Sequence, residues 1–209
     1  MKPVSLFFVL VIVSAGVDLS VHPKEAFRME KIIIVPLGND VPESSLEFLR
    51  EPLQRTFGTI VVFSRPAPLP RRAYDAGKNQ YLSNLVLDSL NSQMRAPNDC
   101  RILAVTNVDL TVTNMNFVFG QADMDSGLSI ISLARLRPEF YGEPPDTRLF
   151  QARALTEAVH ELGHTLSLDH CHDSSCVMYF SITLQDTDRK GHSFCGRCRA
   201  SAEAAAAGK

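Results

Sequence analysis

The chain has 209 residues and a formal net charge of −2, a length that suits one compact domain with short extensions better than two full domains. A hydrophobic content of 45% with 21% charged residues is enough to bury a core. The near balance of 21 Lys and Arg against 23 Asp and Glu leaves no broad positive field for a phosphate backbone, so nucleic-acid binding is not expected.

Residues 3–17 are uncharged and largely apolar, but as a helix they would reach only about 22 Å against the ~30 Å hydrocarbon core, so no stable membrane span is expected. Lys2, the apolar run 6–13 and Ser14-Ala15-Gly16 follow the order of a secretory signal with a small-residue cleavage site. The competing reading is a start at Met29, directly before the first strand. Export follows from one and a cytoplasmic location from the other, and under both, residues 1–28 stand outside the fold. Lys31-Ile32-Ile33-Ile34-Val35-Pro36-Leu37 reads as a buried strand. Leu46, Leu49, Leu53 and Phe57 then recur at helical spacing over residues 45–57, with Pro52 expected to kink or divide that helix. A second strand is expected at 59–63, a Pro-rich loop at 66–72 and a helix at about 79–92. Three more strands are read at 101–106, 114–119 and 127–132, which brings the strands to five. Leu155, Val159, Leu162 and Leu166 form one face of a long helix that Asp146 or Thr147 can cap. The Ala-rich residues 200–209 read as a fraying helix or tail. The expectation is thus an α/β domain over residues 29–199, flanked by the extension 1–28 and the tail 200–209.

That long helix contains His160-Glu161-Leu162-Gly163-His164, which puts two imidazoles one turn apart on the same face, able to share one metal ion. Glu161 projects about 100° around the helix from His160, beside such an ion and free to take a proton. The pattern arises by chance in roughly 0.8% of chains of this composition; requiring His170 as well lowers that to roughly 0.02%. His170 matters because a catalytic zinc takes three protein ligands and keeps one position open for water. Ten residues of helix would leave His170 about 280° around from His160, so the helix must end between His164 and His170. Glycine commonly makes such a turn, and this chain has Ser167 there.

Cys171, Cys176, Cys195 and Cys198 form two pairs that fit a single four-thiolate zinc site, closed and structural, clamping the segment after the helix to the C-terminal region. Two disulfides are the other reading, and a secretory signal would favour it; the pair spacing favours zinc. A redox role for Cys195-Gly196-Arg197-Cys198 fits less well, because that motif belongs at the start of a helix early in a βαβ unit. His172 and His192 lie near the cysteines in sequence and are left out of the site.

His160-Glu161-x-x-His164-x-x-Ser167-x-x-His170 followed by Met178 resembles the metzincin metallopeptidases. With Cys171 directly after the third histidine, then Cys176 and Cys195-x-x-Cys198, the pattern resembles the archaemetzincins in particular. The likeness extends upstream through residues 133–142 and 149–166. It implies a single-domain metzincin-like fold, with a mixed, mostly parallel five-stranded sheet beneath an active-site helix and a zinc-clamped C-terminal segment. It also implies two zinc ions per chain. His160, His164 and His170 would hold the catalytic one, Cys171, Cys176, Cys195 and Cys198 the structural one, Glu161 would be the general base and Met178 the Met-turn residue. The expected activity is peptide-bond hydrolysis by a monomer acting on a peptide or protein substrate, with aminopeptidase action suggested for some family members. The alternative is a non-catalytic zinc protein that binds a peptide or partner. Ser167 departs from the family's glycine, and Tyr141 and Tyr179 are candidates to assist at the developing oxyanion.

Overall fold

A strand that is apolar on both faces needs cover on both sides. In the first strand Ile32 and Ile34 pack into one hydrophobic cluster, while Ile33, Val35 and Leu37 pack into another. The computed structural model describes residues 29–94, 97 and 99–207, so the signal-like segment 1–28 lies outside the described residues. Its elements are β1 (Lys31–Leu37), α1 (Arg50–Phe57), β2 (Ile60–Phe63), β3 (Tyr74–Asp75), β4 (Gln80–Leu82), α2 (Ser83–Gln93), β5 (Cys100–Thr106), β6 (Leu110–Thr111), β7 (Gly120–Asp123), β8 (Leu128–Ser132), α3 (Thr147–His164), α4 (Leu184–Lys190) and α5 (Gly196–Ala206). The main sheet has the order β2-β1-β5-β8-β7, parallel throughout except for the antiparallel edge strand β7. Val86, Leu87 and Leu90 of α2 pack against Ile102, Ala104 and Ile130 on one face, whereas α1, α3 and α5 share the other with Leu103, Val105 and Ile131. Among the described residues no helix is long and apolar enough to cross a membrane.

Four of the five expected strands fall where the apolar runs placed them. The exception is residues 114–119, which form a loop, and the fifth strand is β7 immediately after it. The apolar, aromatic-rich residues Met115, Phe117, Val118 and Phe119 suggested a strand. Asn114, however, takes φ +69°, and the rings of Phe117 and Phe119 pack on each other at 5.2 Å rather than entering the sheet. Gly120-Gln121-Ala122-Asp123 shows no apolar alternation because it is a half-buried edge. A second sheet, β3-β4-β6, is built from strands of two or three residues, too short to show a period, and β4 takes the start of the helix expected from residue 79. The helix expected over 45–57 is divided, since regular α-helix begins only at Arg50. Two 3-10 turns, Glu43–Ser45 and Glu47–Leu49, precede α1, which places Pro52 in its first turn where an amide donor is not needed.

Asp146 caps α3, its Oδ1 accepting from the Leu149 amide at 2.9 Å. From Arg153 to His164 every residue of α3 is buried. Arg153 and Glu157 inside that stretch are partnered: Arg153 donates twice to Asp188 (2.7 and 2.8 Å), and Glu157 meets Lys190 at 3.2 Å and the Thr187 hydroxyl at 2.9 Å. These bonds fasten α4 along α3. The helix stops through a Schellman arrangement, with the Leu168 amide donating to the Gly163 carbonyl (3.3 Å) and the Ser167 amide to the His164 carbonyl (2.9 Å). Ser167 occupies the left-handed position at φ +61°.

The Ala-rich stretch is not a loose tail. Residues 200–206 continue α5, Ala202 is buried in the core, and the Met29 amide donates to the Ala206 carbonyl at 2.9 Å. The boundary expected at residue 199 thus falls inside a packed helix, because small side chains let α5 approach the core closely.

Ser167 is exposed, so glycine there loses no contact while relieving the left-handed strain. Ser167→Gly is expected to stabilise the chain by about 1 kcal/mol, raising the melting temperature by about 2–4 °C in a thermal scan. An unchanged or lower value would contradict a strained left-handed turn.

Candidate metal centres and cleft

Continuous helix from residue 147 to 164 stacks His160 over His164, and the turn at Ser167 brings the chain back so that His170 joins them. The imidazole nitrogens of the three lie within 4.8 Å of one another. The Nδ1–H of His160 donates to the Val177 carbonyl and that of His164 to the Leu168 carbonyl, both at 2.7 Å. A carbonyl can only accept, so each ring carries its proton on Nδ1 and presents a bare Nε2. Those two Nε2 atoms stand 3.2 Å apart. Two nitrogens bound at about 2.0 Å to one tetrahedral ion lie about 3.3 Å apart. The facing lone pairs therefore fit a shared cation, and without one they repel. Burial lowers the pKa of His160 well below its usual value and lowers those of His164 and His170, which keeps all three rings in the neutral, ligating form. His160 and His164 are buried, whereas His170 is exposed, with the Phe180 ring 4.7 Å from it.

Glu161 lies in the wall of a cleft of about 330 Å³ that is also lined by Glu157, His160, Gly120, Phe180, Ser181, Ile182 and the loop 114–119. Its approach requires glycine at 120, because a Cβ there would sit 2.6 Å from the Glu161 Oε1 and 2.7 Å from the Ile130 carbonyl oxygen. Burial raises the Glu161 pKa well above the usual carboxyl range, and the neighbouring Glu157 adds to this; Lys190 opposes it. Met178 is fully buried, and a Cβ on Gly163 would come within 2.5 Å of its sulfur, so this glycine lets the methionine pack directly under the helix.

The four cysteine sulfurs also lie within 4.8 Å of one another. All are free thiols, and Cys171 and Cys195 are 3.9 Å apart, close to the ~3.8 Å between sulfurs sharing a tetrahedral zinc at about 2.3 Å. Cys195 precedes α5, and the Cys198 amide directed at its sulfur lowers its pKa to about 7, toward the thiolate that a metal takes. Arg197 donates to the Cys171 sulfur at 3.4 Å.

The eight residues singled out from sequence therefore gather in two groups: the three histidines with Glu161 beside His160 in sequence, and the four cysteines; of these, His160 and Glu161 line the cleft. His172 and His192 join neither group. Neither tyrosine candidate lines the cleft; the Tyr141 hydroxyl donates instead to the Arg135 carbonyl at 3.1 Å, and Phe180 lines the cleft next to Tyr179. Gly120, Glu157 and Lys190 were not visible from the motif, although Glu157 stands one turn before Glu161 on the same face.

Comparison with known proteins bears on this geometry. Peptidase family M54 matches residues 62–203. An archaemetzincin of Pyrococcus furiosus is 42% identical over 174 residues, covering 81% of this chain and 90% of that protein. Among solved structures, an archaemetzincin from Methanopyrus kandleri superposes with a TM-score of 0.74 at 34% identity, covering 88% of this chain and 98% of that one. A zinc-dependent peptidase from Methanocorpusculum labreanum gives 0.72 at 31% identity over 81% of this chain and 99% of that one. With the three-histidine and four-cysteine groups assembled in the same fold, the chain belongs to Peptidase family M54, among the archaemetzincins.

Proposed function

We propose that this chain is a zinc-dependent metallopeptidase that hydrolyses peptide bonds in the cleft beside His160, His164 and His170, with Glu161 as general base. The observation that carries the reading is the pair of bare Nε2 atoms 3.2 Å apart, one of them on His160, which lines the cleft together with Glu161. His160, His164 and His170 would hold a zinc ion, which would supply the Lewis acidity that activates water and polarises a peptide carbonyl. The remaining work falls to the chain's own groups. The Val177 and Leu168 carbonyls fix the ring orientations of His160 and His164. Glu161 accepts a proton from the attacking water and returns it to the leaving amine, a role to which its raised pKa is suited. A purely structural three-histidine site has no use for a carboxyl kept in that state at a cleft, which favours catalysis over a binding protein.

The second zinc of the proposal lies among Cys171, Cys176, Cys195 and Cys198. It would tie the residue after His170 to the start of α5, holding the third ligand in place from behind. All proposed ligands and the base come from one chain, in keeping with a monomeric working unit.

Three measurements test these assignments. Glu161→Gln is expected to keep its zinc while kcat falls by on the order of 10²–10⁴ in a peptide hydrolysis assay; wild-type turnover in this variant would remove Glu161 from the mechanism. Elemental analysis should find two zinc per wild-type chain. Cys198→Ser should lose one of them and destabilise the fold by at least about 3 kcal/mol, seen as a melting temperature roughly 6–12 °C lower. Retention of both ions and of stability would argue against the four-thiolate site. The third concerns pH. A base must be ionised to act, so activity is lost as pH falls through the Glu161 pKa. Burial and Glu157 hold that pKa well above the ordinary carboxyl value of 4.5, with Lys190 opposing them, so the acid limb of kcat/KM should lie above 4.5. A limb at or below 4.5 would assign it to some other group.

A further inference from the structure

The small sheet and the loop after it supply no metal ligand, yet they end at the cleft. Asp109, just before β6, accepts both arms of the Arg135 guanidinium, Nε and Nη2 each at 2.7 Å. Gln80 on β4 donates through Nε2 to the same carboxylate and to the Asn116 carbonyl, both at 2.8 Å, and is itself only 5% exposed. The guanidinium carbon sits 4.2 Å from the centroid of the Phe117 ring and 4.8 Å from that of Phe140. Two further bonds fix the Met115 carbonyl, from Thr111 Oγ1 at 2.9 Å and Lys78 Nζ at 3.1 Å.

Met115, Asn116 and Phe117 all line the cleft. The backbone ties the loop that carries them through the bridge between Leu110 and Val118, the Met115 amide on the Val112 carbonyl (3.2 Å) and the Ser132 amide on the Phe119 carbonyl (2.8 Å), and Asn114 holds a left-handed φ. Between Met115 and Val118 its shape is therefore set largely by side chains. A forked, partly buried Arg–carboxylate pair is among the stiffest side-chain contacts, and a guanidinium over an aromatic face adds attraction that depends on its planar shape. The pair is remote from the proposed metal ligands in sequence and touches none of them.

We propose that Asp109 and Arg135 are positioning residues for the substrate. Their ion pair fixes Phe117 at the rim, and Phe117 forms the side wall against which a substrate side chain settles beside Glu161. This rests on the peptidase reading above. Arg135→Lys keeps the charge while losing the fork and the flat stacking surface, and Asp109→Asn keeps the shape while losing the charge.

The test combines peptide hydrolysis, zinc content, melting temperature and hydrogen–deuterium exchange on the zinc-loaded chain. In both variants KM should rise at least about tenfold with kcat within about twofold of wild type and zinc content unchanged. Exchange over residues 112–119 should accelerate while that over residues 147–164 does not. Phe117→Ala, which removes the ring, should reproduce the rise in KM. Unchanged exchange over 112–119, or faster exchange with unchanged KM, would overturn the proposal, as would a fall in kcat accompanied by zinc loss. If Asp109→Asn loosens the whole chain, seen as a lower melting temperature, Arg135→Lys decides. Failure of the wild-type chain to cleave any peptide overturns the peptidase reading and the substrate half of this proposal together, and is recognised before any variant is made; the exchange data then show separately whether the pair orders the rim.

Discussion

Two imidazole nitrogens with their lone pairs directed at each other cannot rest 3.2 Å apart in a buried site unless something positive lies between or beside them. Much of the structure serves to impose that juxtaposition. The Asp146 cap and a fully buried run from Arg153 to His164 keep α3 regular up to its last residue, so His160 and His164 stay one turn apart. The Val177 and Leu168 carbonyls hold both rings by Nδ1. Val177 precedes Met178, whose sulfur packs against Gly163, so the same few residues set the rings and the floor beneath them. The Schellman turn at Ser167 then brings the chain back with His170.

The two candidate centres are linked covalently, since His170 and Cys171 are neighbours and the Cys171 amide donates to the Met178 carbonyl at 2.9 Å. A clamp on the cysteines therefore restrains the one histidine that α3 does not carry. The ion pairs between α3 and α4 restrain another segment. Lys190, bonded to Glu157 and to the Tyr179 carbonyl (3.3 Å), holds the segment that leads into Phe180 and Ile182, one wall of the cleft. The facing wall is the loop 114–119. The cleft is thus bounded by two irregular segments, each tied by polar bonds to regular structure.

What could be read from sequence divides along physical lines. Long apolar runs buried on both faces, such as Ile32 to Leu37 or Ile102 to Val105, leave a one-dimensional trace, and so does a ligand spacing fixed by the pitch of a helix. His160, His164 and the need for a turn before His170 all follow from 3.6 residues per turn. Pitch alone only places the turn between His164 and His170; Ser167 was marked out because the resembled family has glycine there. Edge strand β7 and the strands of the small sheet left no such trace, because short or half-buried strands need no apolar alternation. Gly120 and Gly163 were equally silent: a glycine required by a neighbour distant in sequence looks like any other glycine until the neighbour is placed. The pairing of Glu157 with Lys190 spans 33 positions, and no local pattern links them.

Of the three gathered imidazoles, two are buried and only His170 faces outward, sheltered on one side by Phe180. A ring at the surface is freer to swing than one packed inside, so the mobility of the His170 side chain would bear on how quickly the site loads and empties.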